Sequence, residues 1–205
     1  FAYNGTCFHE FKLDSAFEVG RAPFADFDLD VKQGCDTLIV NFTNNITPTM
    51  ADFVIDYGDG SKPDTNSMGR HVYTIPATHP DDSIIYYPTL IASSFGCDNI
   101  TEDTVVVYRS PSVSISIDSS IGCQPFDAVL TATISNNFGY EWDLYKDGVI
   151  DTQDIATWAI TLDTFGHFGV KVSAIYRGGC ITTLAVDSIV QVVDLPKPDF
   201  SMDII

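Results

Sequence analysis

The stretch Asp56-Tyr57-Gly58-Asp59-Gly60 ends a short alternating segment, Ala51-Asp52-Phe53-Val54-Ile55. Alternation of apolar and polar residues is typical of a half-buried strand, and aspartate with glycine is typical of a tight turn. A distorted copy with one inserted residue, Trp142-Asp143-Leu144-Tyr145-Lys146-Asp147-Gly148, lies further along the chain. The recurrence of this strand and turn predicts a chain built of repeats.

Other landmarks recur at the same spacing. Gly34-Cys35 and Gly122-Cys123 are 88 residues apart, and so are Gly60 and Gly148. A fixed period of this kind defines separate structural units. The sequence therefore divides into four parts: the C-terminal strands of a preceding repeat (1–20), two whole repeats (21–109 and 110–195), and the first strand of a next repeat (196–205).

The boundaries between repeats are short and contain proline, at Pro23, Pro111 and Pro198. Proline stiffens a linker, so we expect an extended string of domains with stiff joints. The chain starts at Phe1 without a signal peptide, from which we expect a processed or excised piece of a longer protein.

Each whole repeat contains several strand-like runs. Residues 24–31 alternate between apolar and acidic side chains, and the run after Gly34-Cys35 places Leu38, Val40 and Phe42 on one face. Trp142 and Tyr140 correspond to Ile55 and Phe53 as inward-facing residues, so we interpret Trp142 as a core residue. No segment has a helical period. Short strands separated by turns predict an all-β fold of tandem immunoglobulin-like antiparallel β-sandwiches.

The charge of the chain is strongly negative, with 28 acidic and 10 basic residues and a net charge of -18. This charge repels phosphate backbones and anionic lipids, so we expect no nucleic-acid partner and no membrane insertion. Two interpretations of the acidic excess stay open: it keeps an extracellular surface soluble, or it has a specific role in binding calcium. No apolar run is long enough to span a membrane.

The five cysteines occupy repeated positions. One cysteine of each whole repeat opens the second strand and one closes the penultimate strand, so we predict the disulfides Cys35–Cys97 and Cys123–Cys180. Cys7 holds the closing position of the incomplete first repeat, which predicts a partner upstream of Phe1. Disulfides imply an extracellular location. The alternative is unpaired core cysteines, and thiolate metal binding is disfavoured because CxxC spacing is absent.

The first repeat also carries a recognisable pattern. Its Ile55-Asp56-Tyr57-Gly58-Asp59-Gly60 turn is followed by His71-Val72-Tyr73 and by the run Ile85-Tyr86-Tyr87-Pro88-Thr89-Leu90. Together these residues resemble the polycystic kidney disease (PKD) repeat, whose pattern is Trp-Asp-Phe-Gly-Asp-Gly followed by His-Thr-Tyr. The second repeat keeps the Trp, Asp and Gly of the turn but lacks a clear His-x-Tyr.

The repeated Gly-Cys pairs and Asp-Thr or Asp-Ser strands look most like tandem PKD-like repeats of large secreted bacterial surface proteins. Such proteins include gliding adhesins and filament-forming proteins exported by type IX secretion. The resemblance implies O-glycosylation at hydroxyls that follow aspartate and precede an aliphatic residue. The candidates are Ser15, Thr37, Ser83, Thr104 and Ser188.

Residues 143–154 resemble a calcium loop. Two interpretations stay open: calcium ligation, or a bulged turn in which aspartates accept backbone amides. The four candidate ligands are Asp143, Asp147, Asp151 and Asp154.

No nucleophile, phosphate or acid–base signature occurs in the sequence, so we predict a non-enzymatic protein without a cofactor. We expect a structural or adhesive segment of a long cell-surface or secreted protein, acting as a disulfide-clipped spacer. Its expected partners are neighbouring repeats, identical chains in a filament or bundle, and glycans or proteins of another cell. The alternatives are a carbohydrate-binding module of a secreted hydrolase, and calcium-dependent adhesion.

Overall fold

The computed structural model describes residues 20–135 and 139–200, together with the backbone of two short strands, β1 (Ala2–Asn4) and β2 (Cys7–His9). The regular secondary structure of the described residues is β-strand, except for one turn of 3-10 helix at Arg177–Gly179. The predicted all-β fold of tandem immunoglobulin-like sandwiches is confirmed.

The strands are short and follow the alternation of the sequence. Those between residues 21 and 109 are β3 (Phe27–Leu29), β4 (Gln33–Cys35), β5 (Thr37–Asn44), β6 (Asp52–Asp56), β7 (Arg70–Thr74), β8 (Ser83–Tyr86), β9 (Thr89–Ser94), β10 (Cys97–Glu102) and β11 (Val105–Tyr108). Those that follow are β12 (Val113–Ile117), β13 (Ile121–Cys123), β14 (Phe126–Ile134), β15 (Gly139–Leu144), β16 (Thr152–Gln153), β17 (Thr157–Leu162), β18 (Gly166–Ile175) and β19 (Ile181–Val193).

Part of the sheet arrangement recurs between the two predicted repeats. In the first predicted repeat the strand orders are β3-β5-β7, β10-β9-β6 and β4-β11-β8. In the second they are β12-β14-β17 and β13-β19-β18-β15-β16. Most neighbours are antiparallel, but β4 pairs parallel with β11, and β13 pairs parallel with β19. The Gly-Cys pairs therefore end short parallel strands of their own, instead of opening the strand that follows.

The chain forms two compact units. The first comprises Phe1–Asp30, Asn41–His71 and Tyr86–Thr104, and the second comprises Val31–Val40, Val72–Ile85 and Val105–Ile205. Segments of the predicted first repeat occur in both units, so its boundaries at residues 21 and 109 stay predictions.

The first unit has an aromatic core. Phe27 packs on Phe42 with ring centroids 5.8 Å apart, and Phe42 meets the edge of Tyr57 at 5.1 Å. Ile55 and Leu90, from the paired strands β6 and β9, are fully buried in the same unit. The predicted inward face of β6 is thus correct at Ile55, whereas Phe53 is only half-buried.

The first predicted strand is shorter than its alternating pattern. Only Phe27–Leu29 is a strand, and Val31 is 39% exposed although the pattern places it inside. Asp30 explains the early end, because its carboxylate accepts hydrogen bonds from the backbone and side-chain nitrogens of Asn41 at 2.8 and 2.6 Å. In the last predicted strand, Phe200 is exposed, and Met202 and Ile204 lie outside the described residues.

In the second unit, the two sheets of residues 113–193 enclose a core around Trp142. Trp142 is fully buried and donates a hydrogen bond from its indole nitrogen to the carbonyl of Ile155 at 2.8 Å. Tyr140 is buried as well. The interpretation of Trp142 as a core residue is confirmed. Across residues 20–135 and 139–200, no helix has the length and apolar character needed to cross a membrane.

Candidate functional site

A disulfide joins Cys35 to Cys180, which are 145 residues apart in sequence. The Cα atoms of the pair lie 5.6 Å apart, and both residues belong to the second compact unit. Cys35 comes from the first predicted repeat and Cys180 from the second. The covalent bond therefore ties one predicted repeat to the next.

The predicted pairing within each repeat is wrong. Cys97 and Cys123 are free thiols among the described cysteines, and the other two are bonded to each other. Cys35 ends β4, where the parallel ladder places it opposite Tyr108, whereas Cys97 begins β10 in a different sheet. Spacing along the chain cannot distinguish these connectivities, because several pairings of the same cysteines enclose plausible loops.

Aromatic packing surrounds the disulfide. The ring of Tyr108 meets the ring of Tyr176 edge to face, with centroids 6.2 Å apart. A Cβ atom at Gly178 would collide with the Tyr108 ring, so this close approach requires glycine. Gly178 also has a φ of 69°, which favours glycine for a second reason. We call Cys35, Tyr108, Tyr176, Gly178 and Cys180 the disulfide joint.

Hydrogen bonds hold the chain immediately after Tyr108. The guanidinium of Arg109 donates to the carbonyls of Pro76 and His79, each at 3.0 Å. The amide of Ser110 donates to the carboxylate of Asp36 at 2.9 Å, and Pro111 is buried. The chain at this predicted boundary is therefore held by specific contacts to residues of the first predicted repeat.

The turn Asp56–Gly60 belongs to the first unit and satisfies its own backbone. Asp56 accepts the amide of Gly58 at 2.9 Å, and Asp59 accepts the amide of Ser61 at 3.0 Å. A Cβ at Gly58, where φ is 75°, would lie 2.6 Å from the carbonyl oxygen of Tyr87. Glycine at this position is thus required by both conformation and space.

His71 closes this turn. Its Nε2 atom lies 2.8 Å from the carboxylate of Asp59, and its ring stacks on Tyr57 with centroids 3.8 Å apart. Burial raises the pKa of the Asp59 carboxyl, but hydrogen bonds from Ser61 and His71 outweigh burial and hold that pKa below its ordinary value. Burial, together with the charges of Asp64 and Asp59, raises the pKa of Tyr57.

An open cleft of about 610 Å³ lies beside this cluster, and its lining includes Tyr57, Lys62, Asp64 and His71. Tyr57 is only 6% exposed, and His71 covers one face of its ring, so this residue does not offer the flat aromatic platform that a sugar ring stacks on. The cluster is better suited to holding the turn than to recognising a ligand.

The second copy of the turn is organised around a buried carboxylate. Asp143 accepts the amides of Asp147 and Gly148 at 3.1 and 3.2 Å, and the ammonium of Lys171 lies 2.8 Å from it. Burial raises the pKa of Asp143, but the hydrogen bond and charge of Lys171, with the backbone amides, bring that pKa below its ordinary value. Sequence reasoning missed Lys171 entirely, since no repeated position marks it.

Two of the three remaining calcium candidates also accept hydrogen bonds from the turn. Asp147 accepts the amide of Val149 at 2.9 Å, and Asp151 accepts the amide of Leu144 at 2.7 Å. Asp154 adopts a positive φ of 60°. Within residues 20–135 and 139–200, no group of three or more His, Cys, Asp or Glu side chains is arranged to hold a metal ion. Calcium binding here stays a prediction, whereas the hydrogen bonds correspond to the bulged-turn interpretation.

The candidate glycosylation sites differ in exposure. Thr37, Thr104 and Ser188 are exposed, and the Ser188 hydroxyl lies 3.0 Å from Nδ1 of His167. Ser83 is half-buried, and Ser15 lies outside the described residues. Glycosylation stays a prediction for all five.

No protein-family model and no curated protein matches this sequence. Similar solved structures include the fibronectin(III)-like modules of Clostridium thermocellum CbhA, at 16% identity over 86% of this chain and 100% of that one, with a TM-score of 0.44. Extracellular domains 3–5 of Drosophila OTK match at 13% identity over 83% of this chain and 62% of that one, with a TM-score of 0.49. Murine CEACAM1b matches at 10% identity over 83% and 100%, with a TM-score of 0.38.

Proposed function

We propose that this chain is a non-enzymatic structural segment of an extracellular surface protein or filament, in which the disulfide joint carries tension between successive repeats. The observation that carries this proposal is the bond between Cys35 and Cys180, which joins two predicted repeats. A disulfide in this position supports an oxidising, extracellular setting.

The disulfide changes the route of a pulling force. Tension applied to the two ends of the chain reaches Cys35, crosses the S–S bond and leaves from Cys180. The strands between the two cysteines are then shielded, because the covalent bond shortens the load-bearing path. This property suits a spacer that holds a distal region away from a cell, as the resemblance to PKD-like repeats of gliding adhesins and type IX secreted filaments suggests.

The acidic surface fits the same role. A net charge of -18 makes neighbouring segments repel each other, which keeps an extended array from collapsing on itself. The partners we propose are neighbouring repeats, identical chains in a bundle, and glycans or proteins of another cell at the distal end. The burial of Trp142 and Tyr140 counts against the carbohydrate-binding alternative, whereas Phe53 is half-buried.

Single-molecule stretching between the two ends of the chain tests the proposal. An extended chain spans at most about 3.6 Å per residue, so the 145 residues between the cysteines hold about 500 Å of extension. We expect the oxidised chain to extend about 500 Å less than the double variant Cys35→Ser/Cys180→Ser.

The matched control is Cys97→Ser/Cys123→Ser, which keeps the disulfide and should extend like the wild type. Equal extension of the oxidised wild type and Cys35→Ser/Cys180→Ser would show that no bond between residues 35 and 180 carries the load, and would contradict the proposal.

A further inference from the structure

We propose that the open edge of β17 (Thr157–Leu162) pairs antiparallel with the same edge of a second copy of this chain, so that two β-sandwiches share one continuous sheet. This inference rests on the proposed function for its setting, because it names the surface through which identical chains of a bundle meet. Its support comes from the strand itself: its open backbone groups, its absence of charge, and a sequence that matches itself in antiparallel register.

The sheet that contains β17 is open at this strand. The strand order is β12-β14-β17, so among the described strands β17 has β14 as its one neighbour. The amide of Ala132 donates to the carbonyl of Ala156, and the register then directs every second residue of β17 toward β14. The residues between them direct their amides and carbonyls to the open edge, and these are Thr157, Ala159 and Thr161.

The side chains at this edge leave room for another strand. All three residues whose backbone groups point outward are exposed, and none of them is charged or larger than threonine. The intervening Ile160 and Leu162 are buried in the core, which fixes β17 in place. The Thr161 hydroxyl donates to Asp127 at 2.6 Å, and Asp127 belongs to β14, on the side opposite the open edge. The outward backbone groups are therefore accessible to another strand.

Another edge strand of the same chain, β10, is protected by charge. Like β17 it has six residues, and it lies at the edge of its sheet. Its Asp98 and Glu102 are exposed, and charged side chains on an edge strand discourage pairing with another chain. In contrast, β17 contains no charge, proline or glycine, and most of its residues favour strands. Edge pairing is therefore discouraged at β10 and permitted at β17.

The opposite edge of the same sheet, β12, is also uncharged but is less accessible. The amide of Asp118 donates to the carbonyl of Val129, so the even-numbered residues of β12 face β14 and the odd-numbered residues direct their backbone groups to the open edge. Those odd-numbered residues are half-buried, and they are Val113, Ile115 and Ile117. The outward residues of β17 are all exposed. The better docking edge is thus β17, and β12 provides a matched control.

The sequence of β17 matches itself in antiparallel register. With Ala159 opposite Ala159 of the second copy, Thr157 lies opposite its Thr161, and Trp158 lies opposite its Ile160. Threonine pairs and pairs of an aromatic with a β-branched residue are favourable across neighbouring strands. A two-fold axis then passes between the two Ala159 residues, so the contact joins identical surfaces and closes as a dimer.

Acidic residues around β17 limit this contact without blocking it. Asp163 follows the strand, and in the same register it lies opposite Ile155 of the second copy, so it meets an apolar side chain and not a second carboxylate. The net charge of -18 on each copy still opposes association. Salt screens this repulsion, so association should strengthen with ionic strength, whereas a contact built from ion pairs would weaken.

Sedimentation velocity measures the association in a Cys7→Ser/Cys97→Ser/Cys123→Ser background. This background keeps the Cys35–Cys180 disulfide and prevents dimers linked through the other cysteines. We expect a reversible monomer–dimer equilibrium between about 1 μM and about 1 mM chain. The dimer fraction should be larger at about 500 mM than at about 50 mM sodium chloride.

Two lysine variants of this background locate the edge that pairs. Ala159→Lys places two like charges opposite each other at the two-fold axis and should raise the dissociation constant at least about tenfold. Ser114→Lys is the matched control, because it adds the same charge at an exposed position of β12 in the same sheet. It should leave the dissociation constant unchanged.

Amide hydrogen exchange tests which backbone groups are covered. The amides of Thr157, Ala159 and Thr161 should exchange at least about tenfold more slowly when the dimer predominates than when the chain is dilute. The amides of Trp158 and Ile160 face β14, so they should be protected at both concentrations. Their protection in Ala159→Lys verifies that this variant stays folded.

Three results would overturn the proposal. One is a monomer at every concentration up to about 1 mM, and another is a dimer that Ala159→Lys does not weaken. The third is an assembly larger than a dimer that Ser114→Lys also disrupts, since β17 would then pair with β12. None of these involves the Cys35–Cys180 bond or the stretching of single chains, so failure here leaves the proposed spacer function to its own test.

Discussion

The turn at Asp56–Gly60 and its copy at Asp143–Gly148 share a sequence pattern but are held in different ways. In the first, exposed aspartates accept nearby amides, and His71 stacks on Tyr57 to close the turn. In the second, the carboxylate of Asp143 is buried and held by two amides and Lys171. The first turn is therefore held by local hydrogen bonds, whereas the second depends on a buried ion pair.

Backbone conformation differs between the two turns as well. The first uses Gly58 and Gly60 for its positive φ angles. The second places Tyr145 and Lys146 in the left-handed region, at φ 68° and 55°, before Gly148. Non-glycine residues are strained there, so the surrounding hydrogen bonds must hold them. The same motif can thus carry different sensitivities to mutation.

The largest expected difference is between the first aspartates of the two turns. Asp143→Ala should lower the free energy of unfolding by about 3 kcal/mol, because it leaves two amides unsatisfied and Lys171 without its carboxylate. Asp56→Ala removes one exposed hydrogen bond and should cost less than about 1 kcal/mol. Denaturant unfolding followed by tryptophan fluorescence measures the destabilisation caused by Asp143→Ala. Both tryptophans, Trp142 and Trp158, lie in the second predicted repeat and report on its unfolding.

Hydrogen exchange of the β6 and β9 amides measures the effect of Asp56→Ala in the first repeat. Equal destabilisation by the two alanine variants would mean that burial of Asp143 contributes nothing beyond the shared turn, and the proposed contrast would be wrong.

A smaller difference in the free energy of unfolding is expected between alanine substitutions at two glycines of the first turn. Gly58→Ala should cost about 2 to 3 kcal/mol, because alanine there suffers both a left-handed φ and a collision with the backbone of Tyr87. Gly60→Ala is the matched control: its φ is 81°, but no heavy atom lies within 4 Å of the added Cβ. It should cost about 1 kcal/mol from conformation alone.

Hydrogen exchange of the β6 amides provides the comparison for both glycine variants. If Gly60→Ala proved as costly as Gly58→Ala, the close approach of Tyr87 would not matter, and conformation alone would explain the glycines.

The smallest expected effect is on the stability of the fold at acidic pH. The pKa values of Asp59 and Asp143 are both lowered by folding, so each carboxylate stabilises the fold fully above the unfolded-state pKa of about 3.9. That stabilisation is lost as pH falls through the lower folded-state pKa. Asp143→Asn should therefore reduce the acid sensitivity of the tryptophan-reported transition, whereas Asp59→Asn should leave it unchanged. An unchanged acid profile in Asp143→Asn would contradict this assignment.

Much of the fold follows from local patterns. The alternation around Leu38, Val40 and Phe42 correctly predicts an inward face, and Trp142 is buried in the core as expected. Periodicity works at these positions because side chains of a strand alternate between two faces whatever else the chain does. It fails at Val31, where the carboxylate of Asp30 captures Asn41 and ends the strand.

The candidate site was harder to predict. The repeated glycines and cysteines marked equivalent positions, but the choice of partner for Cys35 depends on the parallel pairing of β4 with β11, which no local pattern indicates. Lys171 likewise reaches Asp143 because β15 and β18 are neighbours in the sheet, so the pairing of distant strands supplies the counter-charge.

The amino-acid sequence alone determined the class of fold and the Asp-Gly turns, because strand alternation and glycine-rich turns are properties of short segments. The connectivity of the cysteines and the support of each turn came from packing, because both depend on which distant segments lie side by side. The disulfide joint is the clearest case, since its two cysteines are 145 residues apart and meet only in the folded chain.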